Sequence, residues 1–179
     1  KCTNDCTFCV RNEKADYFGH KLWLAREPKA EEVIARLPED IGAYREYVFC
    51  GFGGPTIKLP VLLEVAREIK RRGGTTRINT NGQANMIWKR DVTGELAAVI
   101  DKINVSLNEA TAKDYAALCR PAFGEAAFAG LQEFAKLCAE KGIDTWFSVV
   151  DVIGEEKIEA CRAIARACGV TLRVRAYIG

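Results

Sequence analysis

The chain has 179 residues, of which 49% are apolar and 28% charged, and Lys plus Arg number 26 against 24 Asp plus Glu. That composition supports one hydrophobic core and one domain over residues 1–179, and it excludes a disordered chain. A formal net charge of +2 argues against a general nucleic-acid or acidic-membrane binder. No apolar run approaches the ~18–20 residues of a membrane span, and no signal-peptide pattern opens the chain.

In chain order, a first helix is expected over Ala30–Leu37, followed by a strand at Glu46–Cys50. Leu62, Val65, Ala66 and Ile69 recur at i, i+3, i+4 and i+7, which predicts a helix over Pro60–Arg72 with Pro60 at its entry and Gly73 at its exit. Strands follow at Thr75–Thr80 and Lys102–Leu107. A helical stripe of Ala127, Leu131, Phe134 and Cys138 then stops at Gly142. The strand Asp144–Val150, the stripe Ile158, Cys161, Ala165 and Cys168 ending at Gly169, and the strand Val170–Arg175 complete the pattern. Strand–helix repetition at this spacing predicts βαβ crossovers and a mostly parallel sheet.

Alternation within the strands separates two faces. Ile103, Val105 and Leu107 oppose Asn104, Ser106 and Asn108, while Ile78 opposes Arg77, Asn79 and Asn81. A sheet covered by helices on both faces reads as continuous apolar runs, so one polar face predicts a barrel or half-barrel with a site on its concave side. The chain starts one residue before its first cysteine and without Met, so a further strand is expected upstream of Lys1.

Eight cysteines stand at 2, 6, 9, 50, 119, 138, 161 and 168. A chain able to build a core needs no disulfide framework, which points to a reducing, cytoplasmic setting. Cys138, Cys161 and Cys168 lie in apolar helical stripes and read as buried, inert thiols. Cys2-x3-Cys6-x2-Cys9 is different: a tight triplet of soft thiolates selects zinc or an iron–sulfur cluster. Structural zinc and closed cubane clusters both take four ligands, and neither a second Cys-x-x-Cys pair nor a spare histidine beyond His20 is at hand. Three ligands without an evident fourth suggest a cluster with one open iron. A non-catalytic zinc or iron–sulfur protein is the alternative.

Cys-x3-Cys-x-Phe8-Cys resembles the cluster loop of the radical S-adenosylmethionine (SAM) superfamily. Phe49-Cys50-Gly51-Phe52-Gly53-Gly54-Pro55-Thr56 is similar to its glycine-rich strand-end motif. Ile78-Asn79-Thr80-Asn81-Gly82 and Val105-Ser106-Leu107-Asn108 resemble its next two strand motifs. Leu22-Trp23-Leu24, Glu27-Pro28 and Leu118-Cys119-Arg120-Pro121 most resemble the subfamily associated with TatD-type nucleases. The resemblance implies an α/β fold, a partial (β/α)6 TIM-type barrel whose first strand leads into the cysteine loop. It implies a 4Fe-4S cluster on Cys2, Cys6 and Cys9, whose fourth iron takes the amino and carboxylate groups of SAM. Reductive cleavage of SAM to a 5′-deoxyadenosyl radical, hydrogen abstraction from an unknown substrate, and an electron donor such as flavodoxin or ferredoxin are implied with it.

Phe8, Gly51, Gly53, Gly54, Asn81, Ser106, Asn108 and Arg175 are the expected cofactor contacts. The family motif ends Gly-Glu-Pro, and Gly54 occupies its acidic position, so a charge-assisted bond is lost there and a degenerate, non-catalytic member is a further reading. Blander roles compete: a tight turn needing positive φ at the three glycines, helix capping by Ser106 and Asn108, and a turn at Asn81-Gly82. Phe8 could equally shield a cluster. His20 reads as a solvated loop residue. Arg173 and Arg175 share a strand face, with Arg77 a potential third, and are expected to meet an anion of cofactor or substrate, or carboxylates at the rim.

Overall fold

The computed structural model describes residues 1–13, 19 and 23–177. Five strands, β1 (Tyr47–Phe49), β2 (Thr76–Thr80), β3 (Lys102–Ser106), β4 (Asp144–Val150) and β5 (Thr171–Arg175), form one all-parallel sheet in the order β1-β2-β3-β4-β5. Every crossover therefore steps one strand in the same direction. Right-handed crossovers that never reverse place all connecting helices on one face, and the other face is left to a site. This is the α/β half-barrel that the one-sided polarity predicts. A doubly wound sheet would need a reversal.

The long helices match their stripes: α3 (Leu59–Arg71), α7 (Ala126–Glu140) and α8 (Glu155–Ala167). Leu62, Val65, Ala66 and Ile69 of α3 are buried, as are Leu131, Phe134 and Cys138 of α7 and Ile158 and Cys161 of α8. All of these but Val65 and Ile69 join Ile78, Ile103, Val105 and Phe147 from the strands' outer face in the main core. Each large aliphatic side chain removed from water there contributes about 1.5–3 kcal/mol. Cys168 is half-buried against the same core, so all three stripe cysteines pack as expected. The first expected helix is shorter, α2 (Ala30–Ile34), and Ala30 joins Val65 and Ile69 in a satellite cluster over Tyr47 and Phe49.

Four helices have no counterpart in the sequence reading: α1 (Val10–Glu13), α4 (Ala84–Trp88), α5 (Thr93–Ala97) and α6 (Ala112–Cys119). The first three are too short to display a 3.6-residue period. Thr111 starts α6 by accepting a hydrogen bond from the Asp114 backbone N–H at 3.1 Å. Neither Ser106 nor Asn108 is therefore the cap considered from the sequence. Among the described residues no helix is long and apolar enough to cross a membrane.

The inner face follows from register. Arg77 pairs with Lys102, Asn79 with Asn104, Asn104 with Trp146, Ser106 with Ser148, Ser148 with Arg173 and Val150 with Arg175. These side chains share the face turned away from the helices. Its lower end is neutralised: Glu46 binds Arg77 at 2.8 Å and Lys102 at 3.5 Å. Arg77 is thus committed to a carboxylate and is not a third free cation.

Candidate cofactor site at the strand ends

The cysteine loop lies across the C-terminal ends of the first strands, and its backbone is tied down at both flanks. Lys1 C=O accepts from Gly54 N–H at 2.9 Å, just beyond β1. On the other flank Asp5 N–H donates to Cys119 C=O and Thr7 N–H to Leu118 C=O, both at 3.0 Å, and Ala122 N–H donates to Thr3 C=O at 2.8 Å. Residues 118–121, singled out by resemblance alone, are with Ala122 in physical terms the seat of the loop.

Asn4, only 5% exposed, holds the middle. Its Oδ1 accepts from Gln83 Nε2 at 2.8 Å and Asn81 Nδ2 at 3.3 Å, and its Nδ2 donates to the Tyr115 hydroxyl at 3.0 Å. The same residue points two N–H groups at sulfur: its backbone N–H donates to Cys2 Sγ at 3.4 Å and its Nδ2 to Cys6 Sγ at 3.9 Å. Arg11 closes the turn by donating to Asn4 C=O at 2.8 Å and to Asp5 at 3.3 Å. N–H donors converging on sulfur suit thiolates, which accept strongly and cannot donate.

Cys2, Cys6 and Cys9 are all half-buried. The adjoining Cys119 thiol lowers the Cys6 pKa, helped by Asn4 and Arg11 and opposed by burial. Burial raises that of Cys9. Cys119 is fully buried, accepts from Asn108 Nδ2 at 3.6 Å, and is kept protonated first by the Cys6 sulfur and then by burial. Among the described residues no three Cys, His, Asp or Glu side chains are gathered to hold a single metal ion. A cuboidal cluster does not require that, because each thiolate binds a different iron. Three thiols on one anchored loop, with donors already directed at two of them, fit such a cluster.

The glycine-rich segment divides into three cases. Gly51 has φ +136°, open to glycine and strained for other residues. Gly53 has no such φ, yet a Cβ there would stand 2.5 Å from Lys1 O, so it is glycine to let the start of the loop approach. Gly54 needs neither: its φ is −99°, and a Cβ would meet only the Ile57 side chain at 3.6 Å. A tight positive-φ turn accounts for the first position alone.

Asn81 Nδ2 donates to Thr3 Oγ1 at 2.7 Å as well as to Asn4. It positions the loop. Asn108 has φ +58° and is buried against Cys119, with its Oδ1 unpartnered. Ser106 lies half-buried on the inner face, and Phe8 packs against the core beside Cys6. Arg175 stands at the upper end of the inner face. His20 and Leu22 lie outside the described residues. Sequence reading missed Gln83 and Tyr115, whose roles depend on tertiary contact. Asn4, a polar residue between two candidate ligands, carried a signal that was not used.

The sequence profile of the Radical SAM superfamily matches residues 1–167. The chain belongs to that superfamily. Among solved structures, SuiB from Streptococcus suis superposes with a TM-score of 0.72 at 16% identity, covering 99% of this chain and 38% of that one. SuiB bound to S-adenosylmethionine gives 0.69 at 17%, covering 99% and 37%. A radical SAM methyltransferase from Sphaerobacter thermophilus gives 0.65 at 17%, covering 98% and 52%. At such identity the likeness is one of fold. This chain of the radical SAM superfamily thus spans between a third and just over half of the length of these structures. No curated protein sequence matches it.

Proposed function

We propose that the chain is the core of a radical SAM enzyme in which Cys2, Cys6 and Cys9 each hold one iron of a 4Fe-4S cluster. The observation that carries this is the anchored loop, with Asn4 donating to two of the three thiolates. Cluster and SAM together supply, when bound, reductive cleavage of the sulfonium to a 5′-deoxyadenosyl radical that takes a hydrogen from substrate. The protein's own part is positional. Asn4, Asn81, Gln83 and Tyr115 fix the loop over the strand ends, and Phe8 packs beneath it, limiting water at the sulfurs. Gly51 and Gly53 let the backbone beyond β1 come close, where its carbonyls would hold the amino acid end of SAM. Ser106, on the inner face, would bind the ribose, as would Asn108 with its buried amide turned outward. Flavodoxin or ferredoxin is the class of electron donor, and the setting is cytoplasmic. Membership of the subgroup associated with TatD-type nucleases is proposed with it, on the resemblance of Leu22–Leu24, Glu27–Pro28 and Leu118–Pro121.

One observation favours a second reading. Cys119 lies against Cys6 and could complete a four-thiolate zinc or closed iron–sulfur site. Metal analysis of anaerobically purified, reconstituted full-length protein separates the two. About four iron and four sulfide per chain, with 5′-deoxyadenosine formed from SAM and dithionite, is the expected result. Stoichiometric zinc without iron would overturn it.

A further inference from the structure

The inner face is electrostatically lopsided. At its lower end Glu46 serves Arg77 and Lys102, and Asp144 stands in register with Lys102. At its upper end, on β5, Arg173 and Arg175 have no carboxylate partner among the described residues, and both are exposed. Arg173 is held in place, its guanidinium stacked 4.0 Å from the centroid of Trp146, a side chain only 4% exposed. Stacking on an indole fixes the plane of a guanidinium and leaves its edge N–H groups free to bind. Beside them the face keeps unspent polar groups. Asn104 (6% exposed) and Ser148 (0%) are buried, and neither Asn104 Oδ1 nor Ser148 Oγ has a hydrogen-bond partner. Two like charges on one strand face are repulsive until an anion joins them.

We infer that the β5 end of the inner face is an anion seat, and that the substrate of this enzyme carries the anionic group, a carboxylate or phosphate, which Arg175 and Arg173 bind. The inference rests on the proposed cofactor reading for what occupies the rest of the face. Among the described residues, the hydrogen bonds of residues 1–12 to later elements go to segments that follow β1, β2 or β3. Strands lie about 4.8 Å apart, so β5 is about 19 Å along the sheet from β1. A SAM carboxylate held at a cluster on this loop would lie toward the β1–β3 side of the face, away from Arg175, and the adenosine end of SAM is not anionic. An anion at β5 would then belong to another molecule.

The test uses cluster-loaded full-length protein saturated with SAM and titrated calorimetrically with inorganic phosphate. Wild-type protein should bind phosphate, and Arg175→Gln should weaken that binding about tenfold or more, with SAM affinity and cluster absorption unchanged. Arg173→Gln should weaken it as well, whereas Arg175→Lys, which keeps the charge and loses the fork, should fall between. Absence of phosphate binding in the wild type, or equal binding in an Arg173→Gln, Arg175→Gln double variant, overturns the seat. Loss of SAM affinity in Arg175→Gln, with the cluster intact, assigns the cation to the cofactor and overturns the substrate assignment. Phosphate binding that depends on Arg175 in a preparation holding zinc in place of iron would support the seat while removing the cofactor reading.

Discussion

At Gly54, where the motif that this segment resembles carries a carboxylate, the backbone would accept one. An extended φ and a nearest contact at 3.6 Å leave room for a side chain. Gly54→Glu is therefore expected to tighten SAM binding about tenfold or more, the worth of one charge-assisted bond, measured by equilibrium titration on cluster-loaded protein. Unchanged affinity in a folded variant would show that the carboxylate is not needed here. Gly53→Ala should do the opposite. Its Cβ meets a backbone oxygen that cannot swing aside, so a loss of about 1–3 kcal/mol in thermal or chemical unfolding is expected, together with weaker retention of iron. The two neighbours look alike in sequence. Motif comparison marks Gly54 as odd because a family position is missing, whereas the reason for Gly53 is the approach of Lys1 across 52 residues, which local pattern cannot carry.

The cysteine loop is the element on which the proposed chemistry depends, and its supports have separable effects. Replacing Cys2, Cys6 or Cys9 by Ala should abolish visible iron–sulfur absorption, while Cys161→Ala should cost packing only. Cys119→Ala is the sharper comparison: with three ligands the cluster survives, and its loss would favour a four-thiolate site. Asn4→Ala removes an N–H donor from Cys6 and leaves Gln83 Nε2 and the Tyr115 hydroxyl only their mutual bond at 3.4 Å. Hydrogen bonds to thiolate sulfur favour the reduced cluster, so this variant should show a more negative midpoint potential in an EPR-monitored redox titration. A potential equal to wild type would leave Asn4 a packing role alone. The triplet of ligands was legible because metal spacing is local. Gln83 and Tyr115 were not, since one is an ordinary residue just before α4 and the other an ordinary residue of α6 until the fold sets them against Asn4, and α4 and α5 are too short to announce themselves by period.

For the molecule as a whole, strand alternation carried more than any motif. Polar Asn104 and Ser106 opposite Ile103 and Val105 predict a sheet with one helix-free face, and the unreversed order β1 to β5 agrees. The uneven burial of the strands was not legible. β3 and β4 are nearly continuous core, whereas β5 is exposed at four of its five residues. Backbone amides of β3 and β4 should therefore exchange with deuterium slowest and those of β5 well before them, and uniform protection across the sheet would contradict this. A sheet that never doubles back also keeps neighbours in sequence as neighbours in space. All the groups that anchor the cysteine loop precede Gly124, while Trp146, Arg173 and Arg175 follow it, and Gly124, Glu125 and Ala126 are exposed. On the proposed reading, the groups that would hold the cluster and those that would meet the substrate's anion are thus drawn from consecutive stretches of sequence, while both stretches share one core.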